Sequence, residues 1–272
     1  AGAATAGAVL HTTLEPCAHT GRTAPCTDAL IAAGVGRVVV GIADPDEAVS
    51  GAGIAALRAG GVEVAVGECA AEITDQLGPY LRQRRTGRPW VVLKLAATAD
   101  GATATPDAGS RWITGHAARA DAHRLRARCD TVLVGAGTVR ADDPALTVRH
   151  CDGTDPRRVV LGRAPDDAAV RPCWELAGEP ADVLDELGRR GVVELLVEGG
   201  ATVAAGFHRA GLVDEYVLYL APALTGGDDA RRLFAGPGAA TMDDLWRGEF
   251  VDVTRLGDDL RVTLRPPADF RH

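Results

Sequence analysis

Cys17 and Cys26 are the first residues of this chain whose type and spacing could do chemistry. Each follows a proline, in Thr13-Leu14-Glu15-Pro16-Cys17-Ala18-His19-Thr20-Gly21-Arg22-Thr23-Ala24-Pro25-Cys26, where a strand-like run gives way to a helix-like one. Thiolates are soft anionic ligands for zinc, and a Pro-Cys pair at a helix start aims a sulfur and the helix amides at one spot. Two cysteines alone read more readily as buried thiols; the pattern around them makes them candidate Zn2+ ligands. A zinc that activates water needs a third protein ligand and a carboxylate to shuttle the proton. The residues before Cys17 contain one histidine, His11, followed by Thr12 and Thr13 with no glutamate two places on. It lies in an apolar alternating run and reads as a strand residue.

A second candidate is Lys94. The 29 basic residues comprise 28 arginines and this single lysine, placed inside the apolar run Trp90-Val91-Val92-Leu93-Lys94-Leu95-Ala96. Arginine cannot trade a proton near neutral pH, whereas a partly buried lysine can. A third candidate is Val197-Glu198-Gly199-Gly200-Ala201-Thr202, in which glycines separate a strand from a helix. Such a turn lets backbone amides approach a pyrophosphate and the helix dipole favours its charge, although a Gly-Gly turn by itself is weakly specific.

The elements that must position these residues alternate. Strands are predicted over 9–14, 37–42 and 62–66, with helices over 25–34 and 51–60, which implies right-handed crossovers and a largely parallel sheet. Asp44-Pro45-Asp46 reads as a plain turn. Residues 82–89 are polar, basic and closed by Gly87 and Pro89, and are predicted to link a first domain, 1–81, to a second, 90–272. In the second domain, strands are predicted over 90–96, 131–135, 158–161 and 193–197, and helices over 115–128 and 200–209. Strands over 215–220, 250–254 and 260–264 follow, the last two as an antiparallel hairpin. Parallel units ending in a hairpin describe a dihydrofolate-reductase-like sheet.

Composition narrows the function. The net charge of −8 argues against a nucleic-acid binder, and no apolar run is long enough to span a membrane. Six irregularly spaced cysteines fit a reducing cytoplasm better than a disulfide framework. A cytoplasmic homo-oligomer acting on a small molecule is expected.

The Leu-Glu-Pro-Cys to Pro-Cys motif resembles the pyrimidine deaminase domain of bifunctional riboflavin-biosynthesis deaminase/reductases. Four further motifs resemble the reductase domain of that family: Leu93-Lys94-Leu95-Ala96-Ala97-Thr98-Ala99-Asp100-Gly101, Ser110-Arg111-Trp112-Ile113-Thr114, Gly137-Thr138-Val139-Arg140-Ala141-Asp142-Asp143-Pro144-Ala145-Leu146-Thr147-Val148-Arg149, and the Glu-Gly-Gly. The resemblance implies a partial cytidine-deaminase-like α/β domain followed by a dihydrofolate-reductase-like one. It also implies that the chain, which opens on Ala1 and has Met242 as its one methionine, is a fragment without the His-x-Glu of a working zinc deaminase. Two of three zinc ligands, Cys17 and Cys26, would remain.

For the reductase, the resemblance implies NADPH contacted at Ala96, Trp112, Thr138 and Asp142, with its pyrophosphate along Gly200, Ala201, Thr202, Val203, Ala204, Ala205 and Gly206. The substrate, a pyrimidine with a ribosylamino 5′-phosphate, would meet Ser110, Arg126, Leu146, Arg149 and Glu198, and hydride would pass to C1′ of the ribose. Lys94 and Glu198 are the candidates for handling the accompanying proton. The stretch 161–180 is shorter than the family's, which has a further strand there; Gly162 and Arg163 stand in its place, and Arg163 is a candidate grip on the ribose phosphate of NADPH. Two other readings stay open: a reductase of the same fold with a different substrate, and a non-catalytic remnant with a structural role.

Overall fold

The computed structural model describes residues 5–21, 23–46, 49–106 and 112–267. The chain divides into two compact units at Gly87/Arg88.

The first unit alternates strands and helices: β1 (Val9–Leu14), α1 (Cys26–Ala32), β2 (Arg37–Ile42), α2 (Ala52–Ala59), β3 (Glu63–Val66), α3 (Ala70–Gln76) and α4 (Gly78–Thr86). Its strands form a parallel sheet in the order β1-β2-β3. The continuous apolar run Val38-Val39-Val40 is central and buried, as expected of a parallel strand covered on both faces. Val35, Val38, Val40, Leu57 and Val62 make a small core. Residues 82–86, predicted as part of a linker, are instead the last turns of α4. Leu81 is buried, and the helix ends at Gly87, whose φ of 72° suits a residue without Cβ. The basic run that read as a linker is the solvated side of this helix.

The second unit contains β4 (Trp90–Thr98), β5 (Ala102–Ala104), α5 (His116–Arg128), β6 (Thr131–Gly135), α6 (Ala136–Asp142), β7 (Arg157–Leu161), β8 (Trp174–Leu176), α7 (Pro180–Arg189), β9 (Glu194–Val197), α8 (Ala201–Arg209), β10 (Glu215–Ala221), β11 (Arg231–Arg232), β12 (Glu249–Leu256) and β13 (Asp259–Arg265). Among the described residues, eight strands form one sheet in the order β12-β13-β10-β4-β9-β6-β7-β8. It is parallel from β10 to β8 and antiparallel through β13 and β12. β8 corrects the expectation for the short stretch 161–180: a further strand is present there, three residues long and paired with β7.

Each face of this sheet carries a core. On one face Val183, Leu184 and Leu187 of α7 and Ala204 and Phe207 of α8 pack on Val91, Leu93 and Leu195. On the other, Ala118, Ala122 and Leu125 of α5 pack on Val92, Leu196 and Val217. The alternation of side chains along β4 puts Lys94 on the α5 face, with Val92 and Ala96 to either side.

Three strands around five core side chains make a weak free-standing domain, and the outer strands leave Val9 and Val66 about half exposed. Residues 1–87 produced alone are therefore expected to associate or to lose structure without a sharp transition. Size-exclusion chromatography with urea unfolding checks this; a monomer with a cooperative transition would contradict it.

Candidate active site

In the first unit the Cys pair is brought together. Cys26 opens α1, and its backbone N–H donates to Cys17 Sγ at 3.5 Å. Hydrogen bonding to Cys17 and burial push the Cys26 thiol above its ordinary value. Glu15, two residues before Cys17, is buried, and its carboxylate accepts N–H groups of Gly51 and Gly53 at 2.9 Å, Ile54 at 3.3 Å and Asp44 at 3.4 Å. A carboxylate at a helix N-terminus satisfies donors the helix cannot, and here it caps α2. The approach requires Gly53: a Cβ there would lie 1.8 Å from the Pro16 carbonyl oxygen. Glu15 is thus a structural cap and is occupied. Asp44 accepts the Asp46 N–H at 2.9 Å and the Tyr80 hydroxyl at 3.0 Å, the geometry of an ordinary turn. His11 lies in β1, exposed and 4.0 Å from Glu68. Among the described residues no third histidine, cysteine or carboxylate completes a metal cluster. The donor set therefore falls short of a zinc site.

In the second unit a cleft of about 600 Å³ opens beside α5, lined by Lys94 and by Trp112, His116, Arg119, His123 and Arg126 as well as the segment 142–150. Behind two of its lining residues, Lys94 and Arg126, sits Glu198, which follows β9 with its side chain 8% exposed. The Arg126 guanidinium grips it with two parallel bonds, Nε to Oε1 at 2.5 Å and Nη2 to Oε2 at 2.9 Å, and Lys94 Nζ lies 3.7 Å from Oε2. Burial alone would raise the Glu198 pKa, but Arg126 and then Lys94 outweigh it and pull it down to about 2. Burial also opposes the Arg126 charge, and Glu198 more than restores it. Glu198 is consequently a fixed anion near neutrality. Its Oε2 faces Lys94 Nζ, which brings together the two residues expected to handle the proton.

Arg126 is likewise neither a solvated charge nor a free phosphate fork. Its third bond, Nη1 to the Thr147 carbonyl at 3.2 Å, ties α5 to the segment that carries Leu146 and Arg149. Leu146 is buried at the lip with a φ of 53°, a left-handed conformation unusual for a branched side chain. Arg149 is exposed, with Nη1 on Thr147 Oγ1 at 3.0 Å, and its backbone N–H donates to His123 Nδ1 at 3.1 Å. That bond fixes the neutral tautomer with its proton on Nε2. Burial first, then Arg126, His150 and Arg149, lower His123 to about 4.

Besides Arg126, the cleft face of α5 carries His116, Arg119 and His123. Their spacing of three, four and three residues sets them on one face of α5, a signal that was available. His150 packs edge-on against both His116 and His123. Trp112 is 69% exposed, with Arg119 over its ring at 4.7 Å. Ser110, predicted to meet substrate, lies outside the described residues.

The glycine turn leads into α8, whose N-cap Gly200 provides no side-chain cap. A Cβ on Gly200 would meet Thr138 Oγ1 at 3.4 Å, and one on Gly199 would lie 2.5 Å from Val203 Cβ. The turn therefore sits beside Thr138 of α6, and the uncapped first turn of α8 suits an anion such as a pyrophosphate. Ala96 lies two residues beyond Lys94 on the same face of β4, and Asp142 ends α6 at the cleft. Arg163 follows β7, 95% exposed and 4.0 Å from Glu175.

A mostly parallel sheet closed by an antiparallel hairpin, with an uncapped glycine turn and a charged cleft beside α5, defines a reductase domain of the dihydrofolate-reductase-like class. Residues 89–262 match the RibD C-terminal domain. Over 98% of its length the chain is 37% identical to the riboflavin biosynthesis protein RibD of Bacillus amyloliquefaciens, of which it covers 81%. It is 41% identical to RibD of Mycobacterium tuberculosis over 97% of this chain and 80% of that one. RibD of Acinetobacter baumannii superposes with a TM-score of 0.89 at 36% identity, over 97% of this chain and 82% of that structure. The chain belongs to the RibD family of riboflavin biosynthesis proteins.

The depressed pKa of His123 makes stability depend on pH. Between 6.5 and about 4 the unfolded chain binds a proton that the folded chain refuses, so the contribution is full above pH 6.5 and is lost as pH falls toward 4. Glu198 acts with the same sign in a lower window, from 4.5 down to about 2. Thermal unfolding is expected to show a destabilisation on the order of 2 kcal/mol from His123 at pH 5 relative to pH 7. His123→Asn, which keeps an acceptor for the Arg149 N–H, should flatten that segment of the profile.

Proposed function

We propose that the second unit reduces 5-amino-6-(5-phosphoribosylamino)uracil to its ribitylamino product, using NADPH. The observation that carries this reading is the Lys94–Glu198–Arg126 ion triad, whose two cations line a cleft that also offers further arginine and histidine. NADPH, when bound, would supply the hydride that reaches C1′ of the ribose. The uncapped turn from Gly200 into α8, with Thr138 beside it, would hold its pyrophosphate; Ala96, Trp112 and Asp142 would line the rest of its path. On the substrate side, Arg149 has guanidinium donors to spare for the 5′-phosphate, Leu146 lines the same cleft, and Ser110 is the further contact that the resemblance implies. Arg126 would act from behind, by holding Glu198.

Opening the ribose at C1′ requires a proton at the ring oxygen or the linking nitrogen. Lys94 is the group for it: its ammonium projects from the middle of a rigid buried strand, and the Glu198 carboxylate fixes its direction. For the first unit the reading is narrower. It resembles part of a zinc deaminase, in which Cys17 and Cys26 would be two of the ligands, and no chemical step is assigned to it because Glu15 is occupied as a helix cap.

Oxidation of NADPH by the purified chain, followed with the aminopyrimidine substrate, tests the main reading; absence of substrate-dependent oxidation would refute it. Lys94→Arg keeps the charge but not the capacity to release a proton, so turnover should fall on the order of 10²–10⁴ while NADPH binding stays nearly unchanged. Near-normal turnover would leave the lysine as a product of coding bias. Arg163→Ala should raise the Kd for NADPH and leave that for NADH unaltered if this side chain meets the ribose phosphate. Ammonia release by the same 272-residue chain should stay at background.

A further inference from the structure

Lys94 has a second neighbour besides Glu198. Its Nζ lies 5.8 Å from the centroid of the Tyr219 ring, within the range of a cation–π contact. The register of β10 on β4 pairs Val217 with Lys94 and Tyr219 with Ala96, so Tyr219 is the diagonal neighbour of Lys94 on the same face of the sheet. Tyr219 is 1% exposed, and its hydroxyl donates to Asp121 Oδ2 at 2.8 Å. Asp121, buried on α5, also accepts Arg261 Nη1 of β13 at 3.1 Å and Arg124 Nη2 at 3.0 Å. Burial, together with the charge of Asp121, pushes the Tyr219 hydroxyl well above its ordinary value. The ring is thus clamped at its far end by a carboxylate that two arginines hold in place.

We propose that Tyr219 is a positioning residue for Lys94: its clamped ring is the floor that keeps the ammonium turned toward Glu198 and the cleft. Without that floor the four-carbon stem of a lysine has freedom to swing, and Glu198 alone constrains only one direction. Asp121 and Arg261 act one step further back, by fixing the ring. The assignment rests on the reductase reading for its consequence in turnover, but the packing itself can be read without any activity.

Lys94 is the only lysine of the chain, so growth with ¹³C-lysine gives a single set of side-chain ε signals. In the parent chain and in Tyr219→Phe, which keeps the ring, those signals should be displaced from the position of a free lysine by the aromatic ring current. In Tyr219→Leu they should return to it. In the NADPH assay Tyr219→Phe should stay within about threefold of the parent, and Tyr219→Leu should lose on the order of tenfold in kcat, with NADPH affinity unchanged. In a Lys94→Met background, Tyr219→Leu should cost nothing further, because its effect passes through the lysine.

Lysine signals in Tyr219→Leu that match the parent would overturn the proposal. So would a loss in Tyr219→Phe as large as in Tyr219→Leu, or an undiminished loss in the Lys94→Met background. If the parent itself fails to oxidise NADPH, the reductase reading fails and the lysine signals still decide this one. Should Tyr219→Leu not fold, Tyr219→Met removes the ring with a longer, flexible side chain, and the lysine signals should return to the free position there as well; signals that match the parent count against the proposal.

Discussion

The second unit depends on one buried carboxylate. Glu198 sits where β9 ends, with one cation supplied by a neighbouring strand and one by a helix. A lone carboxylate at that depth would take up a proton; the bidentate Arg126 contact and the Lys94 ammonium keep it charged. The same contacts fix three elements relative to one another, because β4, β9 and α5 each contribute one member. The Arg126 contact depends on the placement of α5, whereas Lys94 and Glu198 meet across the neighbouring strands β4 and β9.

α5 is fastened accordingly along its length. At its start the Gly115 N–H donates to Asp259 Oδ2 at 2.7 Å, on the first residue of β13. In its middle Asp121 takes the Tyr219 and Arg261 bonds, and near its end Arg128 joins Glu215 at 3.0 Å and Glu194 at 2.8 Å. One face of the helix carries apolar residues to the sheet, and its two flanks carry charges to opposite sides. The flank bearing His116, Arg119, His123 and Arg126 lines the cleft, while on the other Asp121 reaches Arg261 of β13 and Arg128 reaches Glu215 of β10 and Glu194 of β9. The site is rigid because its helix is held by ion pairs at several depths and not by packing alone.

Glu15 and Glu198 show how tertiary surroundings separate two glutamates at the carboxyl ends of parallel strands. Among the described residues Glu15 meets backbone N–H groups and caps a helix; Glu198 meets two side-chain cations and organises a site. Their local sequences, Leu-Glu-Pro-Cys and Val-Glu-Gly-Gly, both follow a strand. A proline or a glycine next in line sets the chain direction, and whatever then folds against the carboxylate sets its chemistry.

Much was determined by the sequence itself. The apolar runs fixed β2, β4, β6 and β9 nearly to the residue, since a strand buried on both faces must be continuously apolar, and the last two strands were legible from their alternation and the Gly257-Asp258 turn. The isolation of Lys94 in such a run, and the glycine turn after Glu198, marked the site. What the sequence did not carry were short or polar elements whose stability is tertiary. α4 looked like a linker because its exposed side is basic, and β8 was too short to show a period. Partnership was equally out of reach. Nothing local distinguishes Arg126, bound to a glutamate 72 residues away, from a solvated arginine, and nothing local places Tyr219 beneath Lys94. Electrostatic roles are set by distances between residues remote in sequence, and only the folded sheet brings those distances into being.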